Sequence, residues 1–335
     1  YYTALAKKAG AVVKRVHNQK LKTLCRTEAH QGIAAFAASI LRVTTPILLA
    51  ALGAAVASQA GCLNMGLEGI MLFSALTGVF VSSLTGSPVW GSWAGLAAGV
   101  LIGGALGALL GYLVLTLKTD ATLAGVALNT IGSNGTVFLL YVWTGSSGIS
   151  SSHKSFVLPN VEIPILKDIP VLGTIFSGQN VVTYITFALV IALVFFLYKT
   201  PLGLRIRAVG LNPDAADSVG INVVRMRYLA YILSGFLAGI GGAYMSMGYV
   251  SWFARDMTSG RGFIALAANA MGRSTPGGTA VASLFFGFTM ALSNSMQTLS
   301  IPYELVEALP YLCTIVALSV YAYHQVRKKS KKRAK

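Results

Sequence analysis

The chain has 335 residues, is 55% hydrophobic and only 11% charged, and carries a formal net charge of +16, with a mean hydropathy of +0.68. A soluble domain carries about 25% charged residues, so that class is excluded and a polytopic, all-α integral membrane bundle is expected. The basic excess does not point to nucleic acid. It is gathered in residues 1–33, 199–227 and 326–335, without the interleaved aromatics of a nucleic-acid surface, and such clusters mark cytoplasmic flanks that favour anionic lipid headgroups.

Residues 1–33 read as a basic cytoplasmic arm, with the character of an amphipathic helix on the membrane surface, and they show no signal-peptide pattern. Apolar segments follow at roughly 34–60, 61–85, 89–117, 121–145, 179–198, 228–250, 259–272, 277–299 and 303–325. About 20 apolar residues suffice to cross a bilayer as a helix, so about eight to ten membrane segments are expected, some of them broken or re-entrant. Loop 146–178, with its lysines balanced by Glu162 and Asp168, is placed outside; loop 199–227 and the tail 326–335 are placed inside with the amino terminus. Four full crossings before residue 146 would put loop 146–178 on the wrong side. The segment 61–85, which opens GCLNMGLEG, is therefore expected to enter and return on the outer side, because irregular backbone survives at membrane depth only where protein or a wet cavity surrounds it. Residues 34–325 form one transmembrane domain, and an internal inverted repeat is compatible with the segment counts.

Gly91, Gly95, Gly99, Gly103, Gly107 and Gly111 recur at steps of four and make a glycine stripe on one helix face. Such a stripe lets another backbone approach closely, either within the subunit or at a subunit interface or gate. Glu68 is an ionisable group inside an apolar segment; Glu304 and Glu307 lie near the start of the last one. Two readings of Glu68 stay open: it lines a polar path, or its carboxylate caps the backbone donors of a neighbouring broken helix. Asn64, Asn129, Asn134, Asn269, Asn294 and Gln297 are neutral hydrogen-bonding residues in apolar segments. They serve helix packing or, taken together with Glu68, a path for an uncharged polar solute. His17, His30, His153 and His324 fall outside the expected membrane core, which argues against a proton relay.

In loop 199–227, Pro201 and Gly203 set a turn. Asn212-Pro213 starts a short helix, PDAADSVG, and Gly220 ends it, with Arg205, Arg207, Arg225 and Arg227 around it. This reads as a protruding cytoplasmic helix or as a solvated positive loop. The chain has no Gly-x-x-x-x-Gly-Lys-Ser/Thr sequence, so any ATP would be hydrolysed by another chain. Cys25, Cys62 and Cys313 lack metal or redox spacing, no metal site is expected, and no nucleophile constellation points to an enzyme.

TTPILLAALGAAVASQAGCLNMGLEGIMLFSALTG resembles the opening of permeases in bacterial ABC importers for nucleosides and simple sugars, with NMGLEG matching an Asn-x-Gly-x-Glu-Gly signature. KTPLGLRIRAVGLNPDAADSVGINVVRMRY resembles the family's main cytoplasmic loop, and SGRGFIALAANAMGRSTPGGTAVASLFFGF its carboxyl-terminal region. The resemblance covers about residues 40–325. It implies a fold similar to cobalamin-type importers and a second permease subunit as partner, making a heterodimer. It also implies an ABC ATPase subunit carrying ATP and Mg, an extracytoplasmic substrate-binding lipoprotein, and residence in the bacterial plasma membrane. It places the coupling helix within Leu211–Gly220, with Ala215 and Ala216 as the paired alanines, and sets Asn64 and Glu68 beside the central pathway. The chain departs from the family in having Ser58-Gln59-Ala60 where Glu-Arg is common. Nucleoside import is the expected function. Import of a pentose or hexose or of riboflavin, an autonomous carrier or channel, and a non-transporting scaffold are the rivals.

Overall fold

The computed structural model describes residues 28–150, 153–161 and 176–296, and Leu312, Cys313, Ile315, Val316 and Ser319 of the closing segment. The arm before residue 28, most of the 303–325 segment, Gln297, Glu304, Glu307 and the tail 326–335 lie outside the described residues. Residues 1–38 with 162–178 group as one compact unit, and 39–161 with 179–335 as a second. In the first, residues 28–38 are the opening turns of α1.

The helices are α1 (Glu28–Gln59), α2 (Leu67–Leu84), α3 (Pro88–Gly111), α4 (Ala121–Thr144), α5 (Val181–Lys199), α6 (Pro201–Leu211), α7 (Pro213–Ser218), α8 (Val223–Tyr244), α9 (Arg261–Met271) and α10 (Pro276–Met296). Two-residue strands β1 (Asn160–Val161) and β2 (Gln179–Asn180) pair antiparallel. Among the described residues, seven helical stretches are long and apolar enough to span a bilayer. Their starts follow local chemistry. Asp120 caps α4 by accepting from Thr122 N and Leu123 N, and Asn180, Asn212 and Asn222 cap α5, α7 and α8 in the same way. Proline opens α3, α6 and α7, where a missing N–H costs nothing.

The helix directions alternate. At one end of the bundle, Thr45 of α1 donates to Thr183 in the first turn of α5, and Ser82 near the end of α2 accepts from Phe156 N. At the other end, the Gln59–Gly61 backbone abuts Gly210 of α6, and Gly111 of α3 abuts Tyr228 of α8. This corrects the expected path of 61–85. Only Ala60–Gly66 is irregular; from Leu67 an unbroken 18-residue helix runs the full way to the opposite end. The glycines and Asn64 that signalled a re-entrant hairpin are confined to the first turns, and the apolar run beyond them has no reason to break. Val43–Thr45 therefore lies at the end opposite α6–α7. The hairpin expectation rests on placing residues 1–33 inside by their charge, and residues 1–27 lie outside the described residues.

α1 is the central helix, with Ile47 through Leu52 fully buried. α3 packs along α8 and α2 through its glycine stripe, which settles the stripe as internal packing. A Cβ on Gly95 would lie 2.5 Å from Gly78 O, one on Gly99 2.9 Å from Ser74 O, and one on Gly103 2.5 Å from Gly235 O and 2.8 Å from Gly239 Cα. Gly107 and Gly111 continue the seam against Tyr231 O and the Tyr228 ring. At Gly103 and Gly107 backbone meets backbone, the close approach on which helix association in lipid depends. Gly103→Ala should force the α3–α8 seam apart and lower stability by about 1–3 kcal/mol. Gly86→Ala, with nothing within 4 Å of the added Cβ, should leave the unfolding midpoint in detergent unchanged.

Candidate functional site: a broken membrane segment and a half-helix

The break at Ala60–Gly66 exposes backbone groups that a helix would have paired, and its own Asn64, with two neighbouring helices, α4 and α8, answers them. Asn64 Oδ1 accepts from Gly66 N at 3.1 Å, and its Nδ2 donates to Ser234 Oγ of α8 at 2.8 Å. Asn129 of α4 reaches both sides of the restart, accepting from Gly69 N at 2.9 Å and donating to Met65 O at 2.8 Å. Tyr231 Oη donates to Leu63 O at 3.2 Å. An asparagine amide mimics a peptide group in both senses, and both residues are buried, so unmade bonds would carry their full desolvation penalty. α4 gets close enough only because Gly125 and Gly132 lie against Met65 and Gly69.

Glu68, one residue into α2 and 4% exposed, sends its carboxylate into the start of α9. Oε1 accepts from Thr258 Oγ1 at 2.5 Å and from Gly260 N at 2.8 Å, and Oε2 accepts from Gly262 N at 2.6 Å. The other early donors turn inward: Arg261 N bonds Thr258 O, and Phe263 N and Ile264 N bond Gly260 O. Every donor from Gly260 to Ile264 is thus engaged. Of the two readings of Glu68, the geometry realises the cap, in which a carboxylate meets the positive end of a helix. Gly262 is required by this contact, since a Cβ there would lie 2.6 Å from Glu68 N.

α9 has 11 residues and is about 16 Å long at 1.5 Å per residue, roughly half the hydrocarbon thickness. It is a half-helix. Its far end is tied to the shoulder before the break: Asn269 Nδ2 donates to Ser58 Oγ at 2.9 Å, and Gln59 Nε2 to Ser274 O at 2.7 Å. Both turns flanking α9 hold non-glycine residues at positive φ, Asp256 and Ser259 before it and Arg273 and Ser274 after it.

The remaining expected site residues do not join this cluster. Asn134 is exposed on α4 and donates to Thr130 O of its own helix at 3.0 Å. Asn294 is exposed on α10. The partners of the break and of Glu68 are what sequence reasoning missed. Thr258, Gly260 and Gly262 sit in an ordinary-looking Thr-Ser-Gly-Arg-Gly run, and nothing local marks Ser234 or Tyr231 as partners of the break.

At the α6–α7 end, Asn212 caps α7 through Ala215 N at 3.1 Å, and Gly220 closes it at φ 82°. Ala216 is buried while Ala215, Arg205 and Arg225 are exposed; Arg207 lies over the Tyr198 ring at 4.2 Å. Leu211 and Val219, on either side of α7, are 83% and 73% exposed. Glu68→Ala strands three donors and should cost roughly 3 kcal/mol or more. Asn129→Ala should be clearly destabilising, whereas Asn134→Ala should stay within about 0.5 kcal/mol. Thermal unfolding of the purified variants in one detergent ranks the three.

The family described as branched-chain amino acid transport system / permease component matches residues 36–318. A second family, described as RNA 2′-O ribose methyltransferase substrate binding, matches residues 3–40, a short stretch that includes the basic arm. The guanosine ABC transporter permease NupQ of Bacillus subtilis is 37% identical over 284 residues, 82% of this chain and 88% of that protein. TsgC13 of Haloferax volcanii, provisionally named a glucose ABC transporter permease, is 34% identical over 85% of this chain and 92% of its own. The nucleoside ABC transporter permease NupC of Lactococcus lactis is 33% identical over 85% and 91%. Bacillus subtilis and Lactococcus lactis each also have a less similar relative, NupP and NupB, at 26% and 28% identity. A solved metal-chelate type ABC transporter in an inward-facing conformation aligns with a TM-score of 0.49 at 14% identity, covering 93% of this chain and 91% of that one. The family match spans most of the chain, and NupQ, TsgC13 and NupC are 33–37% identical over most of their own length, so the chain belongs to the permease-component family of the branched-chain amino acid type transport systems.

Proposed function

We propose that this chain is the membrane-spanning subunit of an ATP-driven importer that moves nucleosides across the bacterial plasma membrane by alternating access. The observation that carries this reading is the likeness, across most of the chain, to permeases named for guanosine and nucleoside transport. The interior chemistry agrees with an uncharged cargo. Glu68 is consumed by the start of α9, so neither this carboxylate nor that helix N-terminus is left to select a charged solute. A sugar is the second reading, favoured by the likeness to TsgC13.

In this reading the α6–α7 module faces the cytoplasm. An ABC ATPase subunit, which carries the ATP and Mg, docks on α7 and the exposed Leu211 and Val219. A second permease subunit completes the membrane part, in keeping with the occurrence of NupP beside NupQ and of NupB beside NupC. An extracytoplasmic binding lipoprotein delivers the substrate at the opposite end, and Asn64, Glu68 and Asn129 shape the wall of the pathway.

Liposomes holding this chain, its partner permease, the ATPase and the lipoprotein should accumulate labelled uridine or guanosine only with ATP. Accumulation of glucose instead would change the cargo, and uptake without the ATPase would overturn the assignment. Ala216→Asp puts a charge at a buried position of α7 and should reduce ATP-dependent uptake by about tenfold or more.

A further inference from the structure

We propose that Gln59 is a positioning residue that carries displacement of the α6–α7 module to the half-helix α9. The inference rests on the reading of α7 as the ATPase contact and adds the path by which its movement reaches mid-membrane. Three linked contacts define that path.

α6 and α7 move as one body. Asn212 ends α6 through its own N–H to Ala208 O and begins α7 through its side chain and carbonyl, which bind Ala215 N and Ala216 N. This body meets the break backbone to backbone at Gly210. A Cβ on Gly210 would overlap the Gln59 carbonyl and lie 2.9 Å from Gly61 N, and one on Gly61 would lie 3.4 Å from Gly210 Cα. From the same residue, the Gln59 side chain donates to Ser274 O, and Ser58 accepts from Asn269 beside it.

The acceptor is held in a strained turn. Arg273 and Ser274 are consecutive non-glycine residues at φ 54°, a conformation that persists only where its surroundings impose it. At its opposite end α9 is pinned by Glu68, on the far shoulder of the same break. Residues 58–68 therefore grip α9 at both ends. A push at Gly210 reaches the 272–275 turn through Gln59, while Glu68 holds the other end as the fixed point.

The test uses the reconstituted complex of both permeases, ATPase and lipoprotein, with uptake and ATP hydrolysis measured on the same preparation. Gln59→Glu keeps the size but has no N–H to give Ser274 O; Gln59→Arg keeps a donor. Gln59→Glu should lower nucleoside moved per ATP hydrolysed by about five- to tenfold, with assembly and hydrolysis near wild type, and Gln59→Arg should restore most of the ratio. An unchanged ratio in Gln59→Glu overturns the proposal. So does a loss of uptake that only tracks a loss of assembled complex, or a Gln59→Arg protein as defective as Gln59→Glu. A wild-type complex that accumulates no nucleoside would instead overturn the functional reading, and the relay with it.

Discussion

The carboxylate of Glu68 in the mouth of α9 is the interaction on which the interior of this permease depends. A half-helix that starts inside a membrane leaves its first N–H groups without partners, and no lipid can supply them. Glu68 supplies acceptors for two of these N–H groups and for the Thr258 hydroxyl, in a setting where charge-assisted bonds are strong and unpaired groups are costly. Burial of the carboxylate and the backbone discontinuity at α9 are each tolerable only because of the other.

The arrangement ties two discontinuities together. The break between α1 and α2 and the half-helix α9 lie along each other, joined at one end by Glu68 and at the other by Ser58, Gln59, Asn269 and Ser274. Asn64 and Asn129 then fasten the break to α8 and α4. Around this polar centre, helix packing relies on small residues. Gly103 against Gly235 and Gly239, and Gly107 against Tyr231, make α3 and α8 a backbone-to-backbone pair. A bundle packed so closely favours discrete rearrangement over continuous flexing, which suits a protein that must alternate between two accesses.

The segments and α7 were legible along the chain because each depends on neighbours within a few residues; α6 was not, since Pro201 and Gly203 read as a turn whereas Pro201 opens a helix that carries Gly203 inside it. An apolar run makes a span, Asn212-Pro213 starts a helix, and Gly220 stops one. The glycine stripe was legible as a packing face, though its partner was not. Path was harder. Reading residues 61–85 as a hairpin came from applying the charge rule as a parity count to an arm whose placement was itself an assumption; the helix contacts carry four alternating helices before residue 146 instead. Asn134 and Asn129 show the limit at single side chains. The same residue type on the same helix turns out once to the surface and once into the break, and only the facing of α4 distinguishes them.

The sequence by itself determined the membrane class, the positions of the spans, the existence of a break near Asn64, and a family resemblance resting on short motifs whose residues are contiguous. Only the tertiary structure decided what Glu68 binds, which helices the glycine stripe joins, and that Gln59 stands between Gly210 and Ser274. Those contacts join residues 151, 192 and 215 positions apart. Contact at such separations is fixed by how helices pack in space, and local sequence carries no signal of it.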